Sequence, residues 1–331
     1  MQAVREYDRR LAGHLEVSVV VPSHGRPLRL LWVLNALEEQ TLAASAFDVV
    51  VVHDYDAATT ARILDAHPLA QAGRLRHVAI APGSGSPPRQ RNRGWREASA
   101  PLIAFTDDDC RPDPDWLRGL LAAVAGRPDA FVQGATRPDP FEEQVLHAPH
   151  VRTLRLDPPT LGAETCNVLY PRALLERLGG FDERAVAGED MDLGFRAREA
   201  GARHLAAPDA VVFHAVTAVT LAGYIRSGLK WRHMPLQAKL HPGVRRRMPL
   251  RVFWVPEHAL VTLAAAGVLV ARRHPLAGAL VVPWLKHRYR HGSRRLGPAL
   301  HLLETPGRTA RELAEVATFA WGSARYRTFV L

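Results

Sequence analysis

The sequence predicts a doubly wound α/β fold with a mostly parallel, twisted sheet flanked by helices, followed by a mainly helical, basic region. Three observations carry this. Short β-branched runs alternate with helical patterns at the spacing of βαβ units. The polar residues fit for chemistry fall at the carboxyl ends of those runs, where open parallel sheets gather ligands. Charge also changes sign along the chain: residues 1–214 hold 24 Lys plus Arg against 29 Asp plus Glu, a net of −5, whereas residues 215–331 hold 19 against 4, a net of +15. The division predicts a catalytic domain over 15–215 and a basic helical region over 216–331. With 47% hydrophobic residues in 331, the chain has ample material for a core.

Val17 to Val21 reads as a buried strand that Pro22 ends, and Pro27 suits the first turn of a helix running to about Gln40. Phe47 to His53, Arg74 to Ile80 and Leu102 to Thr106 are further strands, with helical patterns at Asp56 to Ala66 and Pro88 to Ala98 between them. Phe131 to Thr136 and Thr165 to Tyr170 add strands. Pro171 opens a helix that Gly179-Gly180 terminates, and Glu189-Asp190 begins another, over Met191 to Ala200, with Gly201 as its stop. There is no internal repeat and no long low-complexity segment.

The most telling local feature is Asp107-Asp108-Asp109 at the end of the fourth run. Clustered carboxylates at a sheet edge repel one another unless a cation or solvent neutralises them, which points to a hard-metal site and to an anionic cargo such as a Mg²⁺- or Mn²⁺-bridged diphosphate. On an extended segment alternate residues face the same way, so Asp107 and Asp109 are expected to converge on one ion while Asp108 turns aside. A solvated acidic loop is the alternative. Glu189 and Asp190 at a helix start read either as an N-terminal cap, stabilised by the dipole, or as functional acids.

Other features exclude function classes. Gly83-Ser84-Gly85 is not a P-loop, because no Gly-Lys-Ser/Thr follows. Two cysteines, Cys110 and Cys166, make no disulfide framework and suit a reducing compartment. Charges within Met1 to Arg10 leave no apolar signal-peptide core, so the expectation is a cytoplasmic protein, peripheral at most on the inner face of a membrane.

Seven segments, in order and spacing, resemble the family 2 glycosyltransferases of the GT-A fold, over about Glu16 to His214. They are Val17 to Arg26, Val51-Val52-His53-Asp54, Arg89 to Gly94, Phe105 to Asp109, Gly179-Gly180-Phe181-Asp182, Gly188 to Leu193 and Val211 to His214. The resemblance implies a Rossmann-like GT-A domain and a metal-dependent, inverting transfer from a nucleotide-sugar, a UDP-sugar, to a hydroxyl acceptor on a glycan, a lipid-linked or a small molecule. It implies that Asp54 accepts the imide N–H of a pyrimidine, and that Pro22, Ser23, Arg26, Arg89, Asn92, Asp107 and Asp108 line the nucleotide-sugar site. It assigns Asp107, Asp109 and His214 to the metal, Mn²⁺ or Mg²⁺, Asp190 to the base and Glu189 to orienting the acceptor, with Asp192 as support. Two departures stand out: His53 replaces the first of two usual aspartates, and His24-Gly25 replaces an aromatic-Asn pair. A nucleotidyltransferase of related fold, or an inactive membrane-associated scaffold, are the competing readings. The former has little use for Glu189-Asp190.

In the basic region, Ala259 to Ala271 is uncharged for 13 residues and Pro275 to Leu285 for 11, each shorter than the ~20 a spanning helix needs. Trp231, Trp254, Trp284 and Trp321 lie among Arg245-Arg246-Arg247, Arg272-Arg273, Lys286 to Arg290 and Arg294-Arg295. Apolar helices, interfacial aromatics and clustered cations suit an anionic membrane surface on the acceptor side. A packed helical subdomain with solvated arginines is the alternative. No nucleic-acid motif accompanies the charge, so nucleic acid is not an expected partner.

Overall fold

The computed structural model describes residues 15–185, 187–291 and 297–331, and the side chains of 291 and 297–304 are left aside. Met1 to Arg10 and Arg294-Arg295, noted above, lie outside the described residues. The chain divides into two compact units. The first runs to Glu142 and adds Thr153–Ala185 and Glu189–Ala215; the second is built mainly from Val216–Leu331, with Glu143–Arg152 added. The division into units falls after Ala215, and Glu143–Arg152, which the sequence reading placed in the first region, joins the second unit.

The first unit is an eight-stranded sheet. Its strands are β1 (Val17–Ser23), β2 (Phe47–His53), β3 (Leu75–Ala79), β4 (Leu102–Thr106), β5 (Cys110–Pro112), β6 (Ala130–Pro138), β8 (Asn167–Pro171) and β9 (Arg203–His214), in the order β3-β2-β1-β4-β8-β6-β9-β5. The intervening β7 (Val151–Arg152) pairs with β10 (Thr217–Ala218) in the second unit. Pairings from β3 to β4 are parallel, as is β6 with β9, while β8 and β5 run antiparallel to their neighbours. Strand β1 continues through Pro22 to Ser23 instead of ending at the proline.

Alternation along the central strands explains the layers. Val17, Val19, Val21, Val49 and Val51 join one apolar cluster, and Val20 and Val50 join the other, so both faces are covered and the strands read as unbroken apolar runs. The first cluster takes α1 (Pro27–Glu38) and α5 (Trp116–Val124). The second takes α4 (Pro87–Glu97), α6 (Arg172–Leu178) and α7 (Glu189–Glu199). Two single-turn helices, α2 (Ala57–Thr60) and α3 (Pro68–Gln71), lie between β2 and β3. Gly179 ends α6 in the left-handed region at φ 73°. Gly180 follows at φ 74°, and a Cβ there would come within 2.4 Å of Asn92 Oδ1, so no other residue fits.

The second unit is helical: α8 (Leu221–Gly228), α9 (Met234–Leu240), α10 (Pro256–Ala271), α11 (Val282–His291) and α12 (Gly297–Tyr326). Its apolar centre joins Val261, Ala264 and Trp284, and Trp284 Nε1 donates to Glu312 Oε2 at 3.1 Å. Trp254 packs on Phe319, which leaves Trp321 as the strongly exposed tryptophan of this unit. The expected set of interfacial aromatics is thus mostly turned inward. Among the described residues no helix is long and apolar enough to cross a membrane.

Candidate active site

The carboxyl ends of β1, β2 and β4 deliver their polar residues to one edge of the first unit, as parallel pairing requires. The aspartate triplet, however, is not extended. Cys110 N–H donates to Asp107 O at 3.0 Å, closing a turn between β4 and β5, so the alternation argument fails: Asp108 and Asp109 share one arginine and Asp107 takes another. Asp107 accepts from Arg91 at 2.6 Å. Asp108 is almost fully buried and accepts from Ser23 Oγ at 2.7 Å and from the His24 amide at 3.2 Å. Asp109 accepts from Arg26, whose other guanidinium nitrogen lies 2.8 Å from Asp108. Burial pushes Asp108 up to about 6, with Arg26 and Ser23 opposing the shift.

Asp109 instead meets His214. Antiparallel pairing sets Cys110 opposite His214, and the Ala215 amide donates to Asp109 O at 2.8 Å. His214 Nε2 then lies 3.9 Å from Asp109 Oδ1. The His214 Nδ1–H donates to Ala215 O at 2.8 Å, which fixes the tautomer and leaves the Nε2 lone pair facing the carboxylate. These atoms and Cys110 Sγ lie within 4.8 Å of one another. The Cys110 thiol is held up by its hydrogen bond with Cys166 and by complete burial, so it stays protonated and is not a thiolate ligand. A carboxylate and a correctly turned imidazole fit a divalent cation with positions left for ligand oxygens. Asp107, expected in that set, is engaged by Arg91 instead.

Arg91 is the residue that sequence reasoning missed. It is buried, and its guanidinium reaches Asp107 with one nitrogen and Glu189 with the other, at 2.6 and 2.9 Å. Burial works against its charge, but the two carboxylates raise its pKa overall. The signal was present: Arg91 lies at helical spacing between Pro88 and Trp95 on the buried side of α4, which also holds Gln90, Asn92 and Gly94, whereas Arg89 and Arg93 face outward. Glu189 and Asp190 open α7, and Asp190 Oδ1 accepts from the Met191 amide at 2.8 Å. Asp190 is half-buried rather than sealed. Burial and the charges of Glu189 and Glu164 lift its pKa well above the usual carboxylate range, with Arg91 pulling the other way. Asp192 accepts from Arg196 one turn along, the supporting role expected of it.

Several other expected contacts are spoken for. Pro22 is buried in the sheet, and the Ser23 hydroxyl, also buried, hands its proton to Asp108 while lying 2.6 Å from Tyr55 Oη. Asn92 is buried with its amide shared among Phe181, Glu183 and Trp95, so it holds the Gly180-Phe181 segment and has no free edge for a nucleotide. Arg89 is exposed and sits 3.5 Å from Glu183, the residue that also accepts from Asn92. Asp54 accepts from exposed His24 Nδ1 at 2.6 Å. The side chains that remain open toward solvent are Arg26, His24 and, in part, Asp109, Asp107 and Asp190.

A mixed sheet that carries a carboxylate–imidazole pair at one strand end, with the neighbouring Asp107 joined through a buried arginine to an acid on a helix, has the form of a GT-A-type transferase domain. Residues 14–233 match the family described as glycosyltransferase like family 2, and the chain belongs to that family. It is 31% identical over 215 residues to validoxylamine A glucosyltransferase of Streptomyces hygroscopicus subsp. jinggangensis, covering 54% of this chain and 50% of that one. It is 30% identical to the pre-mycofactocin glycosyltransferase of Mycobacterium tuberculosis, over 61% of this chain and 43% of that one. The chain thus spans about half the length of the curated relatives it matches. In fold it resembles the mannosyltransferase from Pyrobaculum calidifontis in complex with GDP-Man and Mn²⁺, with a TM-score of 0.56 at 20% identity and 98% and 94% of the two chains covered. It also resembles S. aureus TarS 1–349 in complex with UDP-GlcNAc, with a TM-score of 0.52 at 15% identity and 95% and 93% covered.

Proposed function

We propose that this protein transfers a sugar from a nucleotide-sugar, a UDP-sugar, to a hydroxyl acceptor, with inversion and with a divalent cation. The observation that carries the reading is the Asp109–His214 pair, 3.9 Å apart, with the imidazole tautomer fixed for a ligand. Asp109 and His214 would hold Mn²⁺ or Mg²⁺. When bound, the cation offsets the charge that develops on the departing diphosphate.

The chain's own residues supply the remainder. Arg26, exposed beside Asp108 and Asp109, offers a guanidinium to phosphate oxygens. Asp54, at the end of β2, faces the base, with His24 orienting its carboxylate. Asp190 takes the proton from the acceptor hydroxyl, and its raised proton affinity suits that role near neutrality. Glu189, clamped by Arg91, orients the acceptor and keeps the base in register with Asp107. One carboxylate base and no carboxylate nucleophile give inversion. The basic second unit brings the enzyme to an anionic, lipid-linked or cell-envelope acceptor surface.

Release of UDP from UDP-sugars with Mn²⁺, abolished by chelator and by His214→Ala, is the test. The expected result is metal-restored turnover in the native protein and none in the variant. Chelator-resistant release, or release of pyrophosphate from UTP in its place, would overturn the reading.

A further inference from the structure

The hairpin made by α10, the turn Pro275–Val281 and α11 leaves most of its apolar surface uncovered. Helix α10 is uncharged from Ala259 to Ala271, yet only His258, Val261, Ala264 and Gly267 of its residues are buried. Leu263, Ala266 and Val268 to Val270 face water, and Leu269 is 68% exposed, Leu276 in the turn 92% and Val282 on α11 57%. A helix apolar on every side belongs in a protein interior or in lipid. A Cβ on Gly267 would come within 2.8 Å of Ala277 O, so α10 packs closely on the turn, and Trp284 of α11 packs against Val261 and Ala264.

Cations frame this apolar edge. Arg272 and Arg273 stand exposed at the bend, and Lys286 and Arg290 on α11. From His258 to Leu303 the sequence contains no carboxylate. A second copy of the chain would bring the same positive edge and be repelled, whereas lipid phosphates would be attracted. Helix α10 spans 16 residues, about 24 Å at 1.5 Å per residue, against a hydrocarbon core of about 30 Å.

We propose that this hairpin is a monotopic membrane wedge: its leucine-rich edge enters the interface of an anionic bilayer while the arginines at its bend hold headgroup phosphates. The inference rests on the attraction to an anionic surface stated above and adds that apolar insertion, not charge alone, holds the protein there.

The full-length protein is sedimented with vesicles of phosphatidylcholine alone or doped with phosphatidylglycerol, at low and high salt. Native protein should bind the doped vesicles and retain part of that binding at high salt. Leu269→Asn with Leu276→Asn should cut partitioning by about tenfold or more, because each buried leucine contributes that order, and leave only salt-sensitive binding. Arg272→Gln with Arg273→Gln should remove the preference for phosphatidylglycerol. Both native cysteines are buried, so a nitroxide on Leu276→Cys reports the tip alone, and lipid-borne relaxation agents should reach it. Unchanged binding by the leucine variant with a water-accessible label would overturn insertion while leaving surface attraction intact. No binding to doped vesicles would overturn both. Lipid-free dimerisation that Leu276→Asn abolishes would make a second copy the occupant and overturn the wedge. Equal circular dichroism and equal UDP-sugar hydrolysis across the variants keep misfolding out of the comparison.

Discussion

The two units handle charge and apolar surface in opposite ways. Around Asp107, Asp108 and Asp109 the carboxylates are matched by Arg26 and Arg91, and the apolar strands beneath are fully enclosed. In the hairpin of the second unit Arg272, Arg273, Lys286 and Arg290 stand in water without carboxylates nearby in sequence, and leucines are left outside. The first arrangement fixes geometry, since a paired buried charge cannot move without cost. The second leaves an apolar, cationic surface open to solvent.

The largest expected effect breaks the chemistry and leaves the fold. Asp190→Asn should lower kcat by ~10² to 10⁴, the span for loss of a general base, while nucleotide binding persists. The pH signature sharpens it. Because the Asp190 pKa is raised, the base is lost on acidification above the ordinary carboxylate value of ~4, so the acid limb of kcat/KM should lie above that value. Stability should run the other way: the folded state holds the proton more tightly, so it loses stability as pH rises from the ordinary value through the raised one. In Asp190→Asn that part of the stability slope should vanish. A native-like kcat, or an acid limb at the ordinary carboxylate position, would remove Asp190 from the role.

Next comes the contrast between two arginines. Arg91→Gln leaves Asp107 and Glu189 partly buried without a counter-charge and should cost about 3 to 5 kcal/mol, whereas Arg272→Gln, on the exposed bend, should stay within about 0.5 kcal/mol. Arg91→Lys should recover little, because one ammonium cannot span both carboxylates as the guanidinium fork does. Urea unfolding of the three variants measures this directly. Equal losses at both positions would erase the difference between the units.

What was legible in the sequence follows the range of the interaction. The valine runs of β1 and β2, the proline-led α1 and α4 and the glycine stop of α6 are local, and each appears within a few residues of its expected place. The Asp109–His214 meeting was reached through resemblance, because the pairing of Cys110 with His214 joins segments about a hundred residues apart across a three-residue strand. The turn at Asp107–Cys110 was misread as extended although aspartate itself favours turns, because the triplet was weighed for its charge and not for its backbone preference. Asn92 looked like a ligand contact because it carries a polar edge. Only the tertiary fold reveals that Phe181 and Glu183 use it. Residues 259–271 were ambiguous for a simpler reason: an uncharged run of 13 suits a core helix and an interfacial one equally, and burial alone separates them.

The smallest expected effect is on the exposed edge itself, and it is informative because it is small. Phe131 is fully buried and stacked between Tyr170 and His204, with ring centroids 4.8 and 4.3 Å away, so Phe131→Ala should cost about 3 to 5 kcal/mol. Leu276 is a large apolar residue too, but at 92% exposure it has almost nothing to lose. Leu276→Asn should therefore change stability in lipid-free solution by no more than about 0.5 kcal/mol, read as an unshifted thermal midpoint. A loss approaching that of Phe131→Ala would mean that protein already covers Leu276 in solution. The contrast between an enclosed first unit and an open edge on the second would then collapse.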